Sequence, residues 1–538
     1  MSLKLISAAL MSGACTLALL PGSAAAEGHA GAPGYCTRSN NNINKLLDCI
    51  TIDGVRRHQA AFQAAADANG GTRASGFAGY DESVDYVVAQ LEAAGYTPTI
   101  QPFDYVIFIE LAAATLSQTA PDVIDYEYQT DFFTMSYSGS TGGLPVTAPV
   151  TAVDLDLGVG NASSSGCEAD DFIGFPAGNI ALMQRGACTF AQKANNAEAA
   201  GAVGAIIFNQ GNAEDGSRDV LFGGTLSSDF TADIPVVSMT YTLGAALSEV
   251  EGLELSIGTS TLRTPFTTVN VLAESKWGDE NNIVMVGAHL DSVTAGPGIQ
   301  DNGSGSAAIL ETAIQLANTP TKNKLRFAWW GAEESGLIGS TFYVNDLINK
   351  FFDEGSEEIF DIALYLNFDM IGSPNHVFKI YDGDDSDGVG AGPGPDGSAA
   401  IEAFFERFYD AEGQPYKGTD FSGRSDYGPF IDLAGIPAGG LFTGAEEIKT
   451  AEEAAIWGGT AGAQLDPCYH LACDTFENIN LDAYEVNARA VAASTLYFAQ
   501  NTSEVNGGSA KGNFKDADKA LRRYENGIME QTGHVFTK

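Results

Sequence analysis

Gly287-Ala288-His289-Leu290-Asp291-Ser292-Val293-Thr294-Ala295-Gly296-Pro297-Gly298-Ile299-Gln300-Asp301 is the stretch that decides how this chain is read. An apolar run, Ile283 to Val286, precedes it and reads as a buried strand. The strand delivers His289 and Asp291 to its carboxyl end. A glycine-rich loop then runs to Asp301, and a helix follows from near Ser306. Ligands of open α/β sheets bind at that edge, so a histidine and two carboxylates there point to an active site.

The same kinds of residue recur after other apolar runs. Glu333 and Glu334 follow Phe327-Ala328-Trp329-Trp330, Asp369 ends Tyr365-Leu366-Asn367-Phe368, and His470 lies between Cys468 and Cys473. Two of only six histidines are thus joined by several carboxylates. Nitrogen and oxygen donors of this kind suit zinc in a site left open for substrate. Two zincs about 3.5–4 Å apart can share a bridging carboxylate. Two glutamates beside two tryptophans are expensive unless a cation compensates them. Asp291, two residues beyond His289, is placed to hold the other ring nitrogen of a metal-bound imidazole.

Strands are expected at Ile283–Gly287, Leu325–Trp330, Ile362–Phe368, Val377–Tyr381 and Ala438–Leu441. Helices are expected at Ser306–Ala317, Ser340–Ile348, Ala399–Tyr409 and Leu481–Phe498. This alternation predicts an α/β fold whose mostly parallel central sheet is sandwiched by helices. Upstream, helices are expected over Val55–Ala66 and Asp81–Ala94, then a strand over Thr97–Phe103. Between about 106 and 265 the texture turns β-rich with Gly/Ser/Asn loops. Within it, Gly178 to Asn209 reads as strand, alanine-rich helix, strand, and Ile234–Met239 as a further strand.

The chain has 538 residues, enough for several domains, and 44% hydrophobic residues, enough for large cores. It carries 69 acidic and 27 basic side chains, for a formal charge of −42. Such a surface argues against nucleic acid and anionic membranes as partners. Residues 1–26 read as an export signal: Lys4, the apolar core Leu5–Leu20, then Ala24-Ala25-Ala26. A lipoprotein site at Cys15 is only faintly indicated. No later segment is long and apolar enough to span a membrane. Of seven cysteines, Cys15 leaves with the signal; the rest form three local pairs, Cys36/Cys49, Cys167/Cys188 and Cys468/Cys473, which in an exported chain read as disulfides. Segment 27–50 is then a short disulfide-bearing extension. The stretch 501–538 reads as a linker and a basic tail. Asp382, Asp384, Asp385 and Asp387 make an acidic loop for which calcium is possible but unsupported, since the run lacks the full oxygen cage.

GAHLDSV, DNGSGSA, WWGAEESGLIGS, LNFDMIGSPN, GRSDYGPF, GGLFTG and CYHLACDT resemble the secreted di-zinc aminopeptidases of the M28 peptidase family, streptomycete type. Residues 69–103 match that family too, and 178–209 with 234–239 resemble a protease-associated (PA) domain. The resemblance implies a zinc-exopeptidase fold split into 50–105 and 266–500, with residues 106–265 inserted and containing the PA domain. It implies that His289 and Asp369 bind one zinc, Glu334 and His470 the other, and that Asp301 bridges them through a cis bond to Asn302. It implies Glu333 as general base, Asp291 as the group orienting His289, and Tyr469 as the oxyanion donor. Arg424 and Phe442 are the implied substrate-binding residues, and the Cys468–Cys473 bridge the staple of the His470 loop. The expected activity is hydrolysis of the N-terminal peptide bond of peptides or proteins, with large apolar first residues (Leu, Phe, Met) preferred. The expected enzyme is a secreted or periplasmic monomer. Tyr427 and Gly428 depart from the family's usual His-Ala, so the resemblance does not fix the shape of the pocket near Arg424. A one-zinc glutaminyl cyclase, a carboxypeptidase and a non-catalytic receptor ectodomain are the competing readings; the intact ligand set argues against the first and the last.

Overall fold

The computed structural model describes residues 34–507, except 214–215, 217, 228–229 and 391. The expected export signal and basic tail lie outside the described residues. Among these, no helix is long and apolar enough to cross a membrane.

At the centre lie four parallel strands, in the order Ala438–Phe442, Ile362–Phe368, Asp279–His289 and Asn323–Trp330. Lys379–Tyr381 flanks them antiparallel on one side and Glu254–Glu274 on the other. Ile362–Phe368 is buried throughout, and so is Asp279–His289 from Asn282 onward. That is why their sequences are unbroken apolar runs rather than alternating ones. Helices cover both faces. Gly303–Leu316 is buried along its whole length. Its small first turn allows this, because a Cβ on Gly305 would come within 2.0 Å of the Phe368 carbonyl oxygen. Asn302 caps that helix by accepting from the Gly305 amide at 2.9 Å.

The strand expected over Thr97–Phe103 is only the beginning of a 22-residue strand, Thr99–Ala120. It pairs antiparallel with Glu254–Glu274 for most of its length. The local signal fails because Pro102 and a bulge near Ala112 interrupt the alternation, while the cross-strand ladder continues past them. These two strands carry the sheet out into a second layer. There Val146–Ala152, Ile180–Gln184, Gly204–Phe208, Val236–Met239 and Phe132–Thr134 pair in turn. Helix Phe190–Ala199 packs on this second layer, capped by Thr189.

Disulfides join Cys36 to Cys49, Cys167 to Cys188 and Cys468 to Cys473. Where the long strands leave the central sheet, Phe103, Tyr105 and Ile107 pack with Ala332, the residue before Glu333. Phe103 stacks on Phe342 with centroids 5.4 Å apart. Phe103→Ala removes this stack from a buried site, and we expect a loss of about 3 kcal/mol in unfolding free energy, read from urea midpoints at unchanged slope.

Candidate metal centre

His289 is the last residue of the strand Asp279–His289, and its ring is 1% exposed. Strand Asn323–Trp330 runs parallel beside it and opens directly into Glu333 and Glu334. Strand Ile362–Phe368, on the other side, ends at Asp369. Three adjacent strand ends therefore bring a histidine and three carboxylates to one edge. The disulfide loop adds His470 from outside the sheet.

The distances resolve into two clusters that share one residue. His289 Nε2 lies 3.2 Å from Asp301 Oδ1, 3.3 Å from Asp369 Oδ1 and 3.8 Å from Glu333 Oε2. His470 Nε2 lies 3.1 Å from Asp301 Oδ2 and 3.2 Å from Glu334 Oε2. Asp301 thus turns one oxygen to each histidine. Donor atoms of His289, Asp301 and Asp369 lie within 4.8 Å of one another, and so do those of Asp301, Glu334 and His470. Asp369 Oδ1 is buried with no hydrogen-bond partner. Such an oxygen, in a set of nitrogen and oxygen donors, fits a divalent ion of the zinc type.

Electrostatics point the same way. Burial disfavours charge on His289, yet Asp369, Glu333, Asp291 and Asp301 more than offset it and hold the imidazole well above its ordinary value. Burial likewise opposes charge on His470, but Glu334 and Asp301 raise it to about 9. Asp301 is driven well below the usual carboxylate range, since the two histidines overcome its burial. Without a metal the cluster therefore holds protons where a metal would put positive charge.

The surroundings fix these groups. His289 Nδ1 lies 3.1 Å from the backbone oxygen of Asp291, while the Asp291 carboxylate stands 3.7 Å away. That carboxylate accepts instead from the amides of Glu333 (3.1 Å) and Glu334 (3.3 Å). Asp291 thus meets the ring with its carbonyl and, farther off, with its carboxylate, and the same carboxylate braces the glutamate loop. The Asp301–Asn302 bond is cis. Ser425 Oγ donates to Asp369 Oδ2 at 2.6 Å. Ala332, Met370 and His470 have φ of 54°, 54° and 57°, so the loops of Glu334, Asp369 and His470 each hold a non-glycine residue in the left-handed region, while the His289–Asp301 loop uses Gly298 there.

Two anchors were not read from the sequence. Arg73, fully buried, donates to the carbonyls of Leu290, Pro297 and Gly298, and so ties the upstream helical segment to the His289–Asp301 loop. Asp474 accepts from the amides of Gln300 (2.9 Å) and Asp301 (3.0 Å), joining the disulfide loop to the same strand end. Burial, reinforced by Asp466, raises the Asp474 carboxyl to about 8. A lone arginine among small residues at 69–76 was the available signal for the first; Asp474 carried none.

Arg424 donates to Tyr469 Oη and Glu446. The Tyr469 ring lies against that of His470, centroids 3.7 Å apart. Phe442 ends the strand Ala438–Phe442, with Lys379 Nζ 5.2 Å over its ring. Tyr427 turns inward, packs edge-on against the stacked rings of Tyr381 and Phe421, and accepts from the Gly423 amide at 2.9 Å. The departure at Tyr427 thus braces the loop before Arg424. In the acidic loop, Asp382 accepts from the amides of Ser386 and Asp387, both at 3.0 Å, which closes a turn.

The profile of Peptidase family M28 matches residues 270–495, and that of the PA domain matches 146–247. An aminopeptidase of Pseudomonas aeruginosa is 47% identical over 495 residues, covering 92% of this chain and 89% of its own. Leucine aminopeptidase 2 of Trichophyton equinum is 40% identical over 463 residues, covering 86% and 85%. Among solved structures, a zinc aminopeptidase from Bacillus subtilis superposes with a TM-score of 0.57 at 25% identity, covering 85% of this chain and 98% of its own.

The raised histidines carry a linkage consequence. The His470 proton stabilises the metal-free protein fully below the ordinary imidazole value of about 6.5, and that contribution is lost as pH rises toward about 9; His289, also raised, acts in the same direction. Metal meets less proton competition over the same range. We expect the difference in Tm between zinc-loaded and chelator-treated protein to widen as pH rises from about 6.5 to 9. A pH-independent difference would contradict the assignment.

Proposed function

The chain belongs to peptidase family M28, and on that premise we propose that it is a two-zinc aminopeptidase that cleaves the N-terminal peptide bond of peptides. The observation that carries this reading is Asp301, whose two oxygens face one histidine each at 3.2 and 3.1 Å. His289, Asp369 and Asp301 would hold one ion, and Glu334, His470 and Asp301 the other. Such a pair of ions, when bound, supplies Lewis acidity toward a water and a peptide carbonyl.

The chain's own residues do the rest. Glu333 is 2% exposed at the inner wall; its carboxylate also comes together with His289 and Glu334, but the two clusters that Asp301 joins are complete without it. It receives the proton of the attacking water and returns it to the departing amine nitrogen. Tyr469, on the His470 loop, donates to the oxygen that becomes negative. The carboxylates offer the substrate's free α-amino group a place that a blocked N-terminus lacks, which confines cleavage to one residue from the end. Phe442 and the cluster of Tyr381, Phe421 and Tyr427 make an apolar flank near Arg424. This favours leucine, phenylalanine or methionine first, in keeping with the name of the Trichophyton relative.

We assign residues 106–265 to a module that restricts access or binds peptide. Three disulfides support a chain that works outside the cytoplasm, and the charge of −42, through self-repulsion, favours a monomer.

Glu333→Gln should retain zinc and lose at least about a hundredfold in kcat; near-normal turnover would remove Glu333 from the role. Metal analysis of the loaded protein should return about two zincs per chain, as two-metal chemistry requires. One tightly bound zinc, with activity on glutamine-headed rather than leucine-headed peptides, would favour a cyclase.

A further inference from the structure

Glu446 lies four residues beyond the strand Ala438–Phe442. Its Oε1 accepts from Arg424 Nη1 at 2.7 Å. Its other oxygen, Oε2, is buried with no hydrogen-bond partner. Arg424 places its second nitrogen, Nη2, on the phenol oxygen of Tyr469 at 3.2 Å. The Tyr469 ring in turn lies against the ring of His470, tilted 27° from it. Side chains from three separate loops thus make one line, Glu446 to Arg424 to Tyr469, that ends at the candidate metal cluster.

The line has a direction. A guanidinium can only donate, so the Tyr469 oxygen is the acceptor in this contact. The phenol O–H is therefore directed away from Arg424, and the positive charge beside the oxygen makes it a stronger donor. A guanidinium on a long stem would hold the phenol poorly by itself. With one nitrogen on a carboxylate and the other on the phenol, its plane is fixed. Stability alone does not account for the pair: the Arg424 and Glu446 side chains are 29% and 43% exposed, and such pairs contribute little to folding. What the pair supplies is orientation.

We infer that Glu446 is a positioning residue for the reaction. By anchoring Arg424 it sets the Tyr469 phenol so that its O–H faces the carbonyl oxygen under attack. This rests on the reading of Tyr469 as the oxyanion donor, and it adds a residue that acts without touching substrate.

The test uses zinc-loaded enzyme and the variants Glu446→Ala, Glu446→Gln, Tyr469→Phe and the double variant Glu446→Ala/Tyr469→Phe. Kinetics on leucine p-nitroanilide are read beside inhibition by leucine phosphonic acid, which is tetrahedral at phosphorus, and by L-leucine, which is planar at its carboxyl. Glu446→Ala should lower kcat about tenfold at nearly constant KM, a fraction of the loss seen on removing an oxyanion donor. Leucine phosphonic acid should weaken in parallel and L-leucine should not, with zinc content and Tm unchanged. Glu446→Gln, which keeps the acceptor, should fall between Ala and the native enzyme. In the Tyr469→Phe background, Glu446→Ala should cost less than about twofold, because residues acting through one another are not additive. An undiminished effect in that background, or a rise in KM at constant kcat, would overturn the inference. If Tyr469→Phe itself keeps full kcat, the oxyanion reading fails and the inference with it. If Tyr469→Phe is impaired and Glu446→Ala is not, only the role of Glu446 falls.

Discussion

Asp301, Asp369, Glu333 and Glu334 crowd four carboxylates around two imidazoles at the inner end of a sheet, and everything nearby is arranged around holding them there. Like charges this close raise each other's energy, and burial removes the water that would screen them. The carboxylates raise both histidines despite their burial, because the cluster calls for positive charge. A single anionic pocket would be satisfied by one proton or one ion. Asp301 divides this one into two, since its oxygens face different histidines.

Holding the groups against their repulsion takes backbone, not only side chains. The Asp291 carboxylate accepts from two amides of the glutamate loop, and Asp474 accepts from two amides of the Asp301 loop. Arg73 draws three carbonyls of the loop between them toward its guanidinium. These buried polar groups are thus met by fixed dipoles that cost no reorganisation when substrate or metal arrives. Burial lowers Arg73 to about 10 while Asp291, Asp474 and Asp301 work against that fall, so the arginine stays cationic where its three carbonyls need it.

How much of this could be read from sequence depended on distance along the chain. His289, Glu333–Glu334 and Asp369 each follow an apolar run, and such runs declare a buried parallel strand whatever its neighbours. Their convergence follows once the strands are adjacent. Asp291 was legible as a neighbour of His289, but not that its carbonyl would take the ring and its carboxylate the glutamate loop; that choice depends on the strand Asn323–Trp330 lying alongside. Arg73 and Asp474 reach across 217 and 173 residues to their partners, and no local pattern announces such a contact. The long strands Thr99–Ala120 and Glu254–Glu274 were lost for the opposite reason. Their local signal is broken by proline and a bulge, and only pairing with each other makes them continuous.

That continuity bears on what an inserted module can do to the reaction. Were residues 106–265 joined to the sheet by flexible loops, their motion would be independent of the site. Instead the two paired strands cross the boundary without a break. At the crossing, Phe103, Tyr105 and Ile107 enclose Ala332. Further out, the Tyr137 hydroxyl donates to the Ser335 carbonyl at 3.4 Å. Ala332 and Ser335 flank Glu333 and Glu334, in a loop already strained at Ala332 and Leu337. A tilt of the outer layer must therefore either bend a paired ladder or move the loop that carries the glutamates. Packed interiors resist the first strongly.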